Sequence, residues 1–131
     1  MIGLDARSWI ADRLSRYFRA VDEKDLERTL HLLDGVRLIQ AGRALDEPTQ
    51  RSAFYSEAYA RDIGTAHLLS NLTVDQAGDV VEYWASYARY EYLNGTPELD
   101  RIGTCDGRIR HGESEPQWLE HSTRPTPARR N

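Results

Sequence analysis

One long stretch in the second half of the chain constrains the fold most. Residues 80–93 read VVEYWASYARYEYL, a run rich in the aromatic and β-branched residues that favour strands. Asn94-Gly95 follows immediately, and this pair is a strong signal for a tight hairpin turn. A second run, HLLSNLTV, comes before residues 80–93 and is separated from them by a Gly78-Asp79 turn. Two further strands are predicted, one from about Leu99 to His111 and a last one at QWLEHST, so everything after Gly64 is expected to be strand.

The chain before Gly64 has helical spacing instead. Three segments carry apolar residues on one helical face, and the second is expected to end before Gly35. Asp46 offers an N-cap for the third segment, with Pro48 in its first turn. The short runs VRLIQ and AGRAL predict a small hairpin that turns at Ala41-Gly42. The three stripes are Ile10, Leu14, Phe18 and Val21; Leu26, Leu30 and Leu33; and Phe54, Tyr55, Ala58 and Tyr59.

Helices at one end of the chain and long antiparallel strands at the other predict the α+β class. We expect a curved, mostly antiparallel sheet wrapped around the N-terminal helices. A cone of this shape leaves a hollow between its two layers, and such a hollow is the usual ligand pocket of a small domain.

Composition narrows the possible partners. The 131 residues carry a net charge of −4, which disfavours nucleic acid, because phosphate binding needs a concentrated basic surface. The one basic cluster lies in the C-terminal segment RPTPARRN, and we expect residues 125–131 to be a disordered tail after a single domain of residues 1–124. No stretch is apolar enough for a membrane span, MIGLDARSW is not a secretory signal, and Cys105 stands alone. These features predict a cytoplasmic protein that binds neither membrane nor nucleic acid.

Asp22 and His67 are the residues best suited to proton transfer. Asp22 lies four residues after Phe18 and eight after Leu14, so a continuous helix would point its carboxylate along the apolar stripe. A carboxylate in an apolar cavity can act as a general base or acid, and so can an imidazole at the start of a buried strand. An alternative for Asp22 is to cap the next helix within Asp22-Glu23-Lys24-Asp25. An alternative for His67 is a structural role in the core.

Strand parity groups the aromatic residues of the long run. Trp84 and Tyr90 share one face, and Tyr83 and Tyr87 share the other. If Tyr90 faces the cavity, its hydroxyl could hold a carbonyl or enolate oxygen, and Asn71 would share a face with His67 in a regular strand. The alternative is that these aromatic rings fill the core or an interface. The predicted substrate-binding residues are Phe18, Tyr55, Tyr59, Asn71, Trp84 and Tyr90.

Other polar residues carry weaker signals. Arg37, Arg89 and Arg101 could pair with an acidic ligand or with neighbouring carboxylates on a solvated face. The remaining histidines, His31, His111 and His121, are expected at the surface. The four histidines are scattered, no Gly-rich phosphate loop follows a strand, and no metal-ligand spacing occurs, so we expect neither a metal nor another cofactor.

Three segments resemble the SnoaL-like branch of the nuclear-transport-factor-2-like (NTF2-like) superfamily. They are YFRAVDEKDLERTLHLL, DEPTQRSAFYSEAY and GTAHLLSNLTVDQAGDVVEYWASYARY, in the element order αα–β–β–α–ββββ. The resemblance implies a pocket Asp at Asp22 and a pocket His at His67, as in relatives of the scytalone dehydratase type. Their pocket Tyr falls on Val21 and their second His near Tyr90, and both are departures from that pattern.

The resemblance implies a cofactor-independent isomerase, cyclase or dehydratase for a small, apolar, oxygenated substrate such as a polyketide-like intermediate. In this hypothesis Asp22 and His67 form the acid–base pair. The alternative is a non-catalytic ligand-binding or assembly protein, comparable to a dioxygenase β subunit. We also expect a homodimer, because Tyr83, Ala85 and Tyr87 on the outer face of the sheet would otherwise leave an exposed apolar patch.

Overall fold

The computed structural model describes residues 5–126, in three helices and six strands. The helices are α1 (Ala6–Asp22), α2 (Leu26–Leu32) and α3 (Pro48–Tyr59). The strands are β1 (Arg37–Gln40), β2 (Arg43–Ala44), β3 (Gly64–Ala77), β4 (Val80–Leu93), β5 (Thr96–Arg110) and β6 (Gln117–Pro125). No helix among the described residues is long and apolar enough to cross a membrane. The predicted α+β class, with a curved sheet and N-terminal helices, is confirmed.

All six strands form one mixed sheet in the order β2-β1-β6-β5-β4-β3. The β1–β6 pair is parallel and the other four pairs are antiparallel. Register shifts interrupt β3 between Ser70 and Thr73, the β4–β5 pair at Arg89/Tyr90, and the β5–β6 pair at Arg108/Ile109. Such bulges bend strands and increase their twist, and here they accompany the curvature of the sheet around the helices.

Two boundaries differ from the sequence prediction. Asp46 does not cap α3, since the N-cap is Glu47 and the Asp46 carboxylate instead accepts from the Leu38 backbone N–H at 3.3 Å. The tail was expected to begin at residue 125. In the structure β6 includes Pro125, and the Thr126 N–H donates to the Ile102 carbonyl at 2.9 Å. The rest of the expected tail, residues 127–131, lies outside the described residues.

The face assignment of β4 is wrong. The sequence prediction places Tyr83, Ala85 and Tyr87 on the outer face, but all three are buried in the core under the helices. Trp84, on the opposite face, is 42% exposed. Strand alternation determines which residues share a face, but it does not indicate which of the two faces meets the helices.

Two glycines of β5 make room for the inward tyrosines of β4. Gly103 is opposite Tyr87 and Gly107 is opposite Tyr83 in the sheet. A Cβ atom at Gly103 would meet the Tyr87 ring at 2.4 Å, and one at Gly107 would meet the Glu120 carbonyl oxygen at 2.1 Å. The missing side chains therefore let the two rings lie flat over β5, on the side that faces the helices.

His121 is fully buried rather than exposed, contrary to the sequence prediction. Its Nδ1 lies 2.6 Å from the Tyr83 hydroxyl, which also accepts from the Trp118 indole N–H at 2.9 Å. Within residues 5–126, its Nε2 has no hydrogen-bond partner. Burial lowers the pKa of His121 from its usual 6.5 to about 3, because a charged imidazolium cannot be solvated there.

We expect this buried histidine to make the fold sensitive to acid. Between the folded and the unfolded pKa, the unfolded chain binds a proton at His121 that the folded chain does not bind. The free energy of unfolding should therefore fall as the pH drops below about 6.5, by about 1.4 kcal/mol per pH unit from this residue alone. Urea unfolding at several pH values should show a shallower pH slope for His121→Gln than for the control His31→Gln, which changes an exposed histidine. Equal slopes would contradict this.

Candidate functional site

A cavity of about 150 Å³ lies between the helices and the inner face of the sheet. Its deep end is formed by buried side chains such as Tyr17 and Tyr55, and its open end by exposed residues such as Arg61 and Arg101. The helices contribute Tyr17, Phe18, Val21, Phe54, Tyr55, Ala58 and Tyr59. The strands and connections contribute Lys24, Gln40, Arg61, Ile63, Thr65, His67, Tyr87, Arg89, Arg101 and Thr123.

Asp22 and His67 form a hydrogen-bonded pair in the wall of this cavity. Asp22 is the last residue of α1, and its Oδ1 lies 2.6 Å from the His67 Nδ1. Its other oxygen accepts from the His67 backbone N–H at 2.8 Å, and Thr65 donates to Oδ1 at 3.0 Å. The alternative role of Asp22 as a helix cap falls to Asp25, whose carboxylate accepts from the Arg28 N–H at 3.0 Å. Asp22 is thus available to orient the imidazole.

The His67 ring is held in one orientation. Its side chain is 8% exposed, and the Phe18 ring stacks on it at 5.0 Å between centroids with an interplanar angle of 14°. Because a carboxylate only accepts, the Nδ1–H of His67 donates to Asp22, and a neutral ring then keeps Nε2 as its acceptor. His67 lines the cavity, so Nε2 is the ring nitrogen available to a ligand.

Four polar side chains from four elements meet at the deep end. The Tyr17 and Tyr55 hydroxyl oxygens lie 2.7 Å apart, and the Gln40 side-chain amide donates to both at 3.2 Å. Thr123 donates to the Gln40 carbonyl oxygen, which fixes the orientation of that amide. Only one of the two tyrosine hydrogens is used between the hydroxyls, so the other remains for a ligand oxygen in the cavity.

The tyrosine hydroxyls stay neutral donors. Burial raises the pKa of Tyr17 well above its usual value, and the neighbouring Tyr55 raises it further. Burial also raises the pKa of Tyr55, against the opposite effect of its hydrogen bonds with Tyr17 and Gln40. Tyr59, whose pKa burial raises too, is hydrogen-bonded to Thr29 at 2.8 Å. Tyr17 and Tyr55 are therefore neutral hydrogen-bond donors, and either hydroxyl could offer its free hydrogen to a ligand oxygen.

The structure brings together part of the predicted set. Phe18, Tyr55, Tyr59 and His67 line the cavity, and Asp22 lies directly behind His67. Asn71, Trp84 and Tyr90 are not among the lining residues.

Each of these three has a local reason to lie elsewhere. Asn71 is exposed at the β3 bulge with a φ of 55°, so the regular alternation from His67 is broken before it. Trp84 and Tyr90 share the outer face of β4. Sequence reasoning also missed Tyr17, Gln40 and Thr123 as site residues. Tyr17 has one sequence signal, its place beside Phe18 in the apolar stripe, whereas Gln40 and Thr123 have none.

Metal ligands do not gather anywhere in the part of the chain that the structure describes. Among residues 5–126, no three His, Cys, Asp or Glu side chains are close enough to hold a metal ion. Cys105 is buried, and burial raises the pKa of its thiol to about 12. It is thus a protonated core side chain.

Solved structures place the fold in a known class. Aln2 from a Streptomyces species matches with a TM-score of 0.77 and 13% identity, over 95% of this chain and 94% of that chain. A candidate dehydratase of the NTF2-like family from Streptomyces avermitilis matches with a TM-score of 0.72 and 14% identity, over 93% and 96%. A candidate β subunit of an aromatic-ring-hydroxylating dioxygenase from Novosphingobium aromaticivorans gives a TM-score of 0.73 and 19% identity, over 95% and 91%. The chain has the NTF2-like fold.

The family follows from the sequence match. The model of the SnoaL-like domain matches residues 3–120, which is most of the chain. The protein therefore belongs to the SnoaL-like family, as the resemblance predicted. Among curated proteins, no sequence match is significant.

Proposed function

We propose that this protein is a cofactor-independent acid–base enzyme for a small, largely apolar, oxygenated substrate. One observation carries the proposal: the Asp22 carboxylate and the His67 imidazole meet at 2.6 Å in the wall of a cavity that is lined by aromatic and polar side chains. A carboxylate that fixes the tautomer of a histidine is the arrangement by which a neutral imidazole becomes an effective general base.

The chemistry begins with proton abstraction next to a carbonyl group. The Nε2 of His67 takes a proton from the carbon, the C–H electron pair forms the enolate, and the negative charge moves to the carbonyl oxygen. Asp22 stabilises the imidazolium that forms, and the Tyr55 hydroxyl donates a hydrogen bond to the enolate oxygen.

The enolate can then react in three ways. Return of the proton at another atom gives isomerisation. Attack on a second carbonyl gives aldol-type ring closure, in which the new alkoxide takes the proton from His67. Loss of a β-hydroxyl group, protonated by His67, gives dehydration. Membership of the SnoaL-like family supports this group of reactions, and a polyketide-like intermediate is the substrate class that we propose.

Deuterium exchange of phenylacetone tests the proposal. This small ketone carries one aromatic ring, and its methylene protons lie between the ring and the carbonyl. The protein in D₂O should accelerate the loss of the methylene signal in proton NMR above the rate in buffer alone. If phenylacetone binds in the cavity and its exchange is not accelerated, the acid–base proposal fails. A non-catalytic ligand-binding or assembly subunit is then favoured.

We propose further that the protein is a homodimer through the outer face of the sheet. The patch differs from the expected one because Tyr83, Ala85 and Tyr87 are buried. Leu68, Ala88 and Ile102 instead form a row across β3, β4 and β5, and Leu68 and Ile102 are 57% and 52% exposed. Trp84 and Leu99 extend the patch on the same face. A contiguous apolar surface of this kind is costly to leave in water.

The dimer can be tested by a single charge in the row. Ile102→Asp should shift the protein to a monomer in sizing chromatography, because the carboxylate would be buried against apolar side chains. The control is Ala77→Asp, an exposed position at the far end of β3, which should leave the dimer intact. A wild-type monomer at micromolar concentration would refute the dimer.

A further inference from the structure

One row of the inner sheet face joins the acid–base pair to two arginines. In the strand register, His67 on β3 is opposite Arg89 on β4, and Arg89 is opposite Arg101 on β5. All three line the cavity. Neighbouring strands are about 4.8 Å apart, so the three side chains leave the sheet from adjacent positions on the face that lines the cavity. Like charges placed directly opposite each other destabilise a sheet, and here Asp100 offsets part of that cost, at 2.6 Å from Arg89 and 3.8 Å from Arg101.

The charged side chains that line the cavity are predominantly cationic. Among residues 5–126, the lining includes the cations Lys24, Arg61, Arg89 and Arg101 but no aspartate or glutamate. The Asp22 carboxylate lies behind His67 and is occupied by its hydrogen bonds. A ligand that enters the cavity therefore meets cationic groups first.

Arg89 and Arg101 differ in how far they are already neutralised. The Arg89 Nη1 donates to Glu91 and Asp100, both at 2.6 Å, so two carboxylates outside the lining hold this side chain in place. Within the described part of the chain, the one ion pair of Arg101 is a 3.8 Å contact with the same Asp100. Burial raises the pKa of the cavity-lining Tyr87, and the positive charge of the nearby Arg101 guanidinium acts in the opposite direction. Arg101 thus reaches the cavity with its charge largely uncompensated.

The volume of the cavity indicates that the charged part of a ligand would lie at its open end. An apolar cavity of about 150 Å³ can hold benzene, so the volume of the present cavity, also about 150 Å³, admits one aromatic ring. Anything attached to that ring extends towards the exposed side, where Arg101 is 50% exposed.

We propose that the substrate is a small aromatic or cyclic acid whose carboxylate binds Arg101, next to the His67 base. The proposal deepens the acid–base function, because it names the substrate class of the same cavity. A guanidinium fork suits a planar carboxylate, which it can bind through two parallel N–H donors. Arg89 stays paired with its two carboxylates, so Arg101 supplies the charge that binds the ligand.

The test compares phenylacetate with phenylacetamide, two ligands of nearly the same shape that differ in charge. Dissociation constants from protein-observed NMR should show phenylacetate binding about tenfold more tightly to the wild type. Arg101→Gln should remove most of this preference, and Arg101→Lys should keep part of it. The control Arg110→Gln should leave it intact, since Arg110 is an equally exposed arginine of β5 that pairs with Asp79 away from the cavity.

Three results would overturn the carboxylate subsite. They are equal affinity of the two ligands for the wild type, a preference that survives in Arg101→Gln, and an equal loss in Arg110→Gln, which would indicate a general field effect. Because this measurement needs no turnover, it is independent of the acid–base proposal. A clear preference for phenylacetate without exchange of phenylacetone would keep the subsite and reject the enzyme, and the reverse pair of results would do the opposite.

Discussion

Replacing Asp22 with Asn is expected to slow the exchange of phenylacetone by about 10²–10⁴-fold, the usual contribution of general acid–base catalysis. The carboxylate accepts the Nδ1–H of His67 at 2.6 Å and so keeps Nε2 free of a proton. An amide at this position can donate to Nδ1, which favours the opposite tautomer and leaves Nε2 protonated and unable to act as a base.

Asp12→Asn is the matched control for this substitution. Asp12 lies on the same helix and pairs with Arg16 on the exposed side. Both variants lose one carboxylate, but only Asp22→Asn should lose exchange. Phenylacetone should still bind to Asp22→Asn, since the apolar lining is unchanged. Full exchange activity in Asp22→Asn, with the fold intact by circular dichroism, would contradict the role of this residue.

The largest effect on stability is expected from Arg51→Met, about 3–5 kcal/mol of the free energy of unfolding. Arg51 is a buried residue of α3, and its guanidinium donates to the carbonyls of Leu33 and Val36 at 2.6 Å and of Leu45 at 2.9 Å. It thereby ties α3 to the turn after α2 and to the segment after β2. A methionine fills similar space but leaves three carbonyls without their donor.

Urea unfolding measures this effect, with Arg37→Met as the control. Arg37 is an exposed arginine of β1, so its loss should change the free energy of unfolding by less than about 0.5 kcal/mol. Arg51→Lys should fall between the two, because one ammonium group cannot reach all three carbonyls. A change below about 1 kcal/mol in Arg51→Met would mean that water replaces the guanidinium at little cost.

Local patterns predicted the fold well because they act over short distances. The helical stripes, the Asn94-Gly95 hairpin and the long strands after Gly64 are all present. What failed was the choice of sheet face. The alternation of β4 correctly grouped Tyr83 with Tyr87, but the side that meets the helices depends on tertiary packing, which alternation does not encode. His121 was misplaced because it lies in a strand next to polar residues, yet packs under Tyr17 and Trp118.

The only site residues that could be predicted together were those that both the local sequence pattern and the family resemblance indicated. Asp22 at the end of a helical stripe and His67 at the start of a strand are 45 residues apart, and the resemblance placed both in one pocket. The deep end could not be predicted in the same way, because Gln40 and Thr123 are 83 residues apart and neither has a distinctive neighbour. Asn71 does not line the cavity, because a bulge shifts the strand alternation on which its predicted placement depended.

The ring nitrogens of His67 give the most direct test of the acid–base pair. In a ¹⁵N-labelled sample, the NMR signals of the neutral ring should show Nδ1 protonated and Nε2 unprotonated, because Asp22 accepts from Nδ1. Saturation with phenylacetone should then shift the Nε2 signal while Nδ1 stays protonated. A ring protonated at Nε2, or an Nε2 signal that the bound ketone leaves unchanged, would contradict the assignment of His67 as the base.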